Sequence, residues 1–242
     1  MAIITISREL GSMGNEIAQI LEQKLKYRLI DKETLAAELF QQGISDMKKY
    51  DEKQPSLYNS FSSENYIYIH FLQSALYKFA EKGKCIILGR GGQCFLGVLP
   101  GTMKIHVITP HKLRLQRIKA RLSCDSLKAE KIMQTSDRER SGFHNFFFNI
   151  DWQDSRLYDL VINTQNLSPK KAVKIIIDAL PAFDTKEIHQ ESRQMLENIC
   201  MGQEIITSIF EKKKKIPVRY LREEFRRLRS HSGRRLFEQA GH

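Results

Sequence analysis

The chain has 242 residues, of which 41% are hydrophobic and 28% are charged, and its formal net charge is +11. These values predict a soluble protein with a full hydrophobic core and one or two domains. No apolar run approaches the ~20 residues of a membrane span, and the N-terminus lacks a secretory signal pattern, so we expect a cytoplasmic protein without a membrane partner. The four cysteines form no CxxC pair or zinc spacing, which indicates reduced thiols.

The N-terminus combines an apolar strand, a glycine-bearing loop and an amphipathic helix. Residues 2–6 read AIITI, residues 7–14 read SRELGSMG, and apolar residues then recur at helical spacing from Ile17 to Leu25. This arrangement can hold a phosphate on exposed backbone N–H groups at a helix N-terminus. The sequence therefore predicts a nucleotide-binding loop, while a tight turn that needs glycine would give the same pattern.

Along the rest of the chain, short apolar runs alternate with helical periodicity, which predicts a parallel α/β sheet. The predicted strands cover residues 2–6, 28–30, 84–88, 104–108 and 160–163. The predicted helices cover residues 16–26, 33–40, 65–81, 111–122, 127–140 and 169–180. Ligands in such sheets bind at the carboxyl ends of strands, so we expect Ser7, Asp31, Arg90 and Thr109 to line one cleft. The polar stretch 45–64 predicts a binding loop, a lid or disorder.

A change in character near Pro181 predicts a domain boundary. We expect a three-layer α/β/α domain over residues 1–181 and a small basic helical appendage over residues 182–242. Residues 211–235 contain four lysines and seven arginines against three glutamates. This segment suits contact with nucleic acid or another anion. We favour a solvated helix that docks on the core or forms a homo-oligomer.

The N-terminal loop departs from the phosphate-loop (P-loop) pattern GxxxxGK[ST]. Alignment on Gly14 places Asn15 at the lysine, Glu16 at the serine or threonine, and Glu9 at the first glycine. The lysine normally contacts the β- and γ-phosphates, and the hydroxyl binds Mg²⁺. A loop without them can still bind phosphate through its backbone, but efficient transfer then needs a cation from elsewhere. Arg8, at the other end of the loop, is the candidate.

Five ordered blocks resemble the cytidylate-kinase-like family of P-loop kinases. They read ITISRELGSMGNEIA, YRLIDKE, IILGRGG, SDRERSG and YDLVINT, and together they span about residues 1–180. The resemblance implies a nucleoside monophosphate kinase fold. It also implies ATP with Mg²⁺ on the first loop and a cytidylate-like acceptor (CMP or dCMP). The family usually carries a basic residue at the position of Asn15 and a glycine at that of Met13.

The resemblance, and the positive charge that phosphates require, give three groups of expected site residues. Donor phosphate binding is expected of Gly11, Ser12, Met13, Gly14, Asn15, Glu16, Arg114 and Arg117. Acceptor binding is expected of Asp31, Arg90 and Asp137. Catalytic roles are expected of Arg8, Arg138 and Arg140. Ser12 is a weak candidate for a Mg²⁺ ligand, and Glu16 a weaker one.

Each of these assignments has a structural alternative. The arginines within 111–122 also suit a solvated helix face, the run 137–140 suits local ion pairs, and Asp31 suits a helix N-cap. The missing lysine leaves a second function open, a non-catalytic nucleotide-binding regulator. The basic segment leaves a third, a nucleic-acid-associated protein.

Overall fold

The computed structural model describes residues 2–41 and 63–213. These residues form a five-stranded sheet with strand order β2-β3-β1-β4-β5, in which every neighbouring pair is parallel. The strands are β1 (Ile3–Arg8), β2 (Arg28–Ile30), β3 (Cys85–Leu88), β4 (Thr102–Ile108) and β5 (Leu160–Asn163). The order places β1 at the centre, so the loop that follows it lies in the middle of the carboxyl edge. The predicted parallel α/β sheet is confirmed.

Helices connect the strands and cover both faces of the sheet. They are α1 (Gly14–Leu25), α2 (Lys32–Gln41), α3 (Ser63–Lys82), α4 (Gly92–Phe95), α5 (His111–Leu122), α6 (Ser126–Phe148), α7 (Pro169–Ala179) and α8 (Lys186–Lys213). The prediction that α6 ends at Arg140 is wrong. The helix continues because Phe143, Phe147 and Phe148 are buried in the core, which holds two more turns in place.

Two hydrophobic clusters lie on opposite faces of the sheet. Ile3 and Ile87 belong to the cluster that includes side chains of α3 and α6. Ile4 and Ile105 belong to the cluster that includes side chains of α1 and α7. Because successive side chains of a strand point to opposite faces, the apolar runs serve both clusters and produce three layers.

Helix α8 packs along α3 and contributes to the first of these clusters. Leu196 is only 1% exposed, and the backbone N–H of Gly101 donates to Ser192 Oγ at 3.1 Å. Across the same contact, His70 Nε2 lies 3.2 Å from Thr207 Oγ1. The described part of the predicted appendage therefore shares its core with the sheet, and the division at residue 181 stays a prediction. The stretch 45–62 and the basic residues 214–242 lie outside the described residues.

The described residues also show the state of the cysteines and the character of the helices. Each of the four cysteines is a free thiol. In residues 2–41 and 63–213, no helix has both the length and the apolar character needed to cross a bilayer.

Candidate active site

The loop between β1 and α1 turns through two left-handed residues, Gly11 at φ 84° and Met13 at φ 64°. Close packing also limits the loop, because a Cβ added to Gly14 would lie 2.5 Å from Arg8 Cβ. Met13 adopts a conformation that favours glycine, at a cost of about 1 kcal/mol. A glycine at this position would remove that cost.

The first turn of α1 is not capped by the side chain of its N-cap residue. Met13 is the N-cap residue, and its side chain makes no capping hydrogen bond. The first amides of a helix lack intrahelical acceptors and carry partial positive charge. This turn, at the carboxyl edge of the central strand, is therefore suited to bind an anion such as a phosphate.

The two expected magnesium ligands, Ser12 and Glu16, differ in their surroundings. Ser12 is fully buried, and its Oγ donates to the carbonyl oxygen of Glu9 at 2.8 Å. Glu16 is exposed on the first turn of α1. Within the described ranges, no cluster of three or more His, Cys, Asp or Glu side chains could hold a metal ion. A hydroxyl or a single carboxylate can bind Mg²⁺ together with nucleotide phosphates, so Ser12 and Glu16 stay predictions as Mg²⁺ ligands.

Arg8 and Asn15 contact each other at the two ends of the loop. Arg8 Nε donates to Asn15 Oδ1 at 3.0 Å. This bond holds a guanidinium beside the position where the P-loop pattern has its lysine.

Arg114 is buried on α5, and all three of its guanidinium nitrogens contact protein groups. Nε donates to the carbonyl oxygen of Leu10 at 2.8 Å, and Nη2 donates to the Asp137 carboxylate at 2.6 and 2.9 Å. Nη1 lies 3.3 Å from Glu9 Oε1. In the structure Arg114 and Asp137 thus bind each other and support the loop, and their expected contacts with nucleotides stay a prediction.

Glu9 connects the loop to the end of β4. The backbone N–H of Thr109 donates to Glu9 Oε2 at 2.9 Å. Burial raises the pKa of Glu9, while the Thr109 hydrogen bond and the charge of Arg114 oppose that rise. In the P-loop pattern Glu9 only replaces a glycine, so the pattern does not predict this role.

Arg117 supports the same loop from one helical turn further along α5. Its Nη1 donates to the carbonyl oxygen of Gly11 at 3.1 Å, and its Nη2 donates to the carbonyl oxygen of Thr164 at 2.9 Å. Thr164 Oγ1 in turn donates to the carbonyl oxygen of Ser12 at 2.8 Å. Burial lowers the pKa of Arg117, and the nearby Glu16 carboxylate opposes that effect. Thr164 is the last residue of the YDLVINT block, and no sequence pattern predicts this role for it.

Arg90 lies in a strained turn directly after β3. Gly89, Arg90 and Gly91 have φ angles of 77°, 56° and 69°. A left-handed arginine costs about 1 kcal/mol, and such a conformation persists only where its surroundings enforce it. The Gly89 N–H donates to the carbonyl oxygen of Ile6 at 3.0 Å, so the turn lies beside the end of β1. Arg90, 4% exposed, is thus at the same edge of the sheet as Arg8.

The other predicted residues are more dispersed. Asp31 caps α2, since its Oδ1 accepts from Thr34 N at 2.9 Å and from Thr34 Oγ1 at 2.8 Å. The N-cap alternative for Asp31 is thereby confirmed. Binding of the acceptor nucleotide by Asp31 stays a prediction. Arg140 Nη1 contacts the backbone and hydroxyl of Ser136 on its own helix. Arg138 is exposed on α6.

The fold and this edge of the sheet agree with a known family. The model of the cytidylate kinase-like family matches residues 3–166. This range contains the loop, the Arg90 turn and the Arg114–Asp137 ion pair. The chain belongs to the cytidylate kinase-like family. Helix α8 lies beyond the residues that the family model matches.

Individual relatives cover a similar part of the chain. The cytidylate kinase of Sulfurisphaera tokodaii is 29% identical over 192 residues, which are 77% of this chain and 99% of the relative. The cytidylate kinase of Sulfolobus acidocaldarius is 26% identical over 183 residues, which are 73% and 93%. A solved structure, an uncharacterized protein from Eubacterium ventriosum, aligns with a TM-score of 0.60 at 23% identity over 75% of this chain and 99% of its own. That structure shares the fold.

Proposed function

We propose that this protein transfers a phosphoryl group from ATP to a nucleoside monophosphate, with CMP and dCMP as the first acceptors to test. One observation carries the proposal: the uncapped first turn of α1 and the strained Arg90 turn lie side by side at the carboxyl edge of the sheet. The first turn of α1 binds the donor phosphates, and the Arg90 turn binds the acceptor phosphate. Membership of the cytidylate kinase-like family supports the same reaction.

On the donor side, the backbone from Gly11 to Gly14 and the first amides of α1 bind the phosphates of ATP. Arg8, oriented by its 3.0 Å hydrogen bond to Asn15, supplies the positive charge that a P-loop lysine would bring. Phosphoryl transfer depends mainly on positioning and on neutralising the charge spread over the transferred group. Mg²⁺ bound to the phosphates of ATP would contribute further charge neutralisation.

The two arginines of α5 act on the donor site through the loop. Arg114 and Arg117 bind the consecutive carbonyl oxygens of Leu10 and Gly11 at 2.8 and 3.1 Å. These bonds fix the orientation of the peptide groups that bind phosphate. Arg114 pairs with two carboxylates, so it mainly positions the loop. The described hydrogen bonds of Arg117 go to neutral oxygens, so its positive charge also acts on the bound phosphates.

On the acceptor side, Arg90 binds the monophosphate. A phosphate monoester has a second pKa of about 6, so the acceptor is largely ionised at neutral pH and needs no general base. Asp31, at the end of β2, contributes to the acceptor pocket. Arg138 and Arg140, on α6, complete the positive charge around the transferred group.

A coupled assay of ADP release tests this function. Purified protein is given ATP, Mg²⁺ and, one at a time, CMP, dCMP, UMP, AMP and GMP. We expect release that depends on the acceptor and is fastest with a cytidine nucleotide. The absence of acceptor-dependent release across the panel would refute the proposal.

A second candidate function is nucleotide sensing without turnover, which the uncharged Asn15 at the lysine position favours. A sensor would be stabilised by ATP or CMP, since a ligand at 100 times its Kd adds about 2.7 kcal/mol to the free energy of unfolding. Thermal stabilisation by ATP or CMP together with no ADP release would select this function over catalysis.

A further inference from the structure

A buried side-chain bridge connects the Arg90 turn to α6. Gln93, in the first turn of α4, has its Nε2 2.8 Å from His144 Nε2. The Nδ1 atom of the same imidazole lies 2.8 Å from the carbonyl oxygen of Arg140. A carbonyl oxygen only accepts, so Nδ1 carries the proton. In a neutral imidazole Nε2 then accepts from the Gln93 amide.

Burial makes this bridge costly to break. Gln93 and His144 are only 6% and 5% exposed. Removal of either partner leaves a buried polar group of the other without its hydrogen bond. Aromatic rings enclose the bridge, and the His144 ring stacks on Trp152 with centroids 6.0 Å apart and planes 22° apart.

The same helix also packs directly against the turn. A Cβ added to Gly91 would lie 3.0 Å from the Phe148 ring, so the backbone of the turn rests on α6. Three successive left-handed residues, Arg90 among them, require such external support. The Gln93–His144 hydrogen bond supplies a directional contact that apolar packing alone does not.

One face of helix α6 is connected both to the donor loop and to the Arg90 turn. Asp137 pairs with Arg114, which binds the donor loop, and His144 binds Gln93, which follows the acceptor turn. His144 follows Asp137 by seven positions, which places the two residues two helical turns apart on one side of α6. One rigid helix therefore sets the distance between the loop and the Arg90 turn.

We propose that Gln93 and His144 are positioning residues that hold the Arg90 turn against α6 and thereby set the affinity for the acceptor phosphate. The proposal rests on the function proposed above. Neither side chain is assigned to contact the nucleotide. Both act through the backbone of the turn, so their loss weakens acceptor binding and leaves ATP binding unchanged.

Two substitutions of His144 separate the bridge from simple packing. His144→Phe keeps an aromatic ring against Trp152 and removes both hydrogen bonds. His144→Gln loses the ring but can place an amide oxygen near the position of Nε2. We expect His144→Phe to raise KM for CMP about tenfold or more, with KM for ATP within about twofold of wild type. His144→Gln should recover most of the affinity for CMP.

The matched control is His70→Gln, a substitution of another buried histidine, which lies between α3 and α8. It should leave both KM values unchanged. If His144→Phe does not fold, Gln93→Met removes the donor from the other side of the bridge and is measured in the same way. Three results would overturn the proposal. They are an unchanged KM for CMP, equal effects of His144→Phe and His144→Gln, and a parallel rise of the KM values for CMP and ATP.

Equilibrium binding keeps this inference separate from the proposed function. If wild-type protein releases no ADP with any acceptor, the catalytic proposal has failed, and the bridge is then judged by calorimetric titration with CMP. Weaker CMP binding by His144→Phe, with recovery in His144→Gln, supports the bridge even without turnover. Wild-type protein that binds no CMP, or variants that bind it equally well, overturns it.

Discussion

Arg8 Nε donates a 3.0 Å hydrogen bond to Asn15 Oδ1, which links the end of β1 to the first turn of α1. In the P-loop pattern the position of Asn15 belongs to a lysine. Asparagine brings no charge of its own, but its amide oxygen orients the guanidinium of Arg8. The two residues together place a cation beside the loop. Their contact therefore favours a catalytic loop over one that binds nucleotide without catalysis.

The first prediction concerns this pair. Arg8→Ala should lower kcat by about 10²- to 10³-fold, because a cation at the transferred phosphate is lost. Asn15→Ala should lower kcat by only about tenfold, because Arg8 remains but is less well oriented. Steady-state kinetics with ATP and CMP measure both effects. Arg156→Ala, which removes a surface arginine 73% exposed, is the control. An Arg8→Ala protein with wild-type kcat would contradict the assignment.

The second prediction concerns the close packing of Gly14 against Arg8. A Cβ at Gly14 would lie 2.5 Å from Arg8 Cβ, so Gly14→Ala must displace Arg8 or the first turn of α1. We expect a loss of kcat comparable to that of Arg8→Ala. At Gly202, on α8, an added Cβ meets no atom within 4 Å. Gly202→Ala should keep full activity and gain up to about 1 kcal/mol in stability. Equal activities of the two variants would contradict this description of the loop.

The third prediction concerns the pH dependence of stability. Burial lowers the pKa of His70 and of His106 to about 4, from an ordinary value of 6.5. Between these values the folded protein binds fewer protons than the unfolded chain, so stability falls as the pH falls through this window. Each histidine adds at most about 1.4 kcal/mol per pH unit to that slope.

Urea unfolding at pH 7, 6 and 5 measures this slope. His106→Phe should reduce it by the contribution of one histidine. A slope that is equal in wild type and His106→Phe would show that His106 takes up its proton as readily in the folded protein as in the unfolded chain.

The fourth prediction concerns the C-terminal helix. Leu196→Ala should lower the free energy of unfolding by about 2 to 4 kcal/mol, because Leu196 is buried in the cluster shared with α3. Met201, on the same helix, is 62% exposed, and Met201→Ala should change stability by less than about 0.5 kcal/mol. Chemical denaturation compares the two variants. A Leu196→Ala protein as stable as Met201→Ala would indicate that α8 is independent of the sheet.

Features defined by nearby residues could be predicted from the sequence. The strand at residues 28–30 and the helix at 111–122 have the predicted bounds, because periodicity is a local property. The cap formed by Asp31 is equally local, since its partner lies three residues along the chain. Periodicity does not predict the extension of α6 to Phe148, because the stability of that extension comes from tertiary packing.

The contacts in the site that the sequence does not predict join residues that lie far apart in the chain. Arg114 contacts Leu10 across 104 positions, Thr109 contacts Glu9 across 100, and Gln93 contacts His144 across 51. No spacing rule connects such pairs. The sequence predicts phosphate contacts for the arginines of α5, but it does not predict that they bind carbonyl oxygens of the loop.

The most direct test of phosphoryl transfer follows the γ-phosphoryl group itself. ATP labelled with ³²P at the γ position is incubated with the protein, Mg²⁺ and CMP, and the products are separated by thin-layer chromatography. We expect the label to appear in CDP. Label that stays in ATP, or that is released only as inorganic phosphate, would contradict the account.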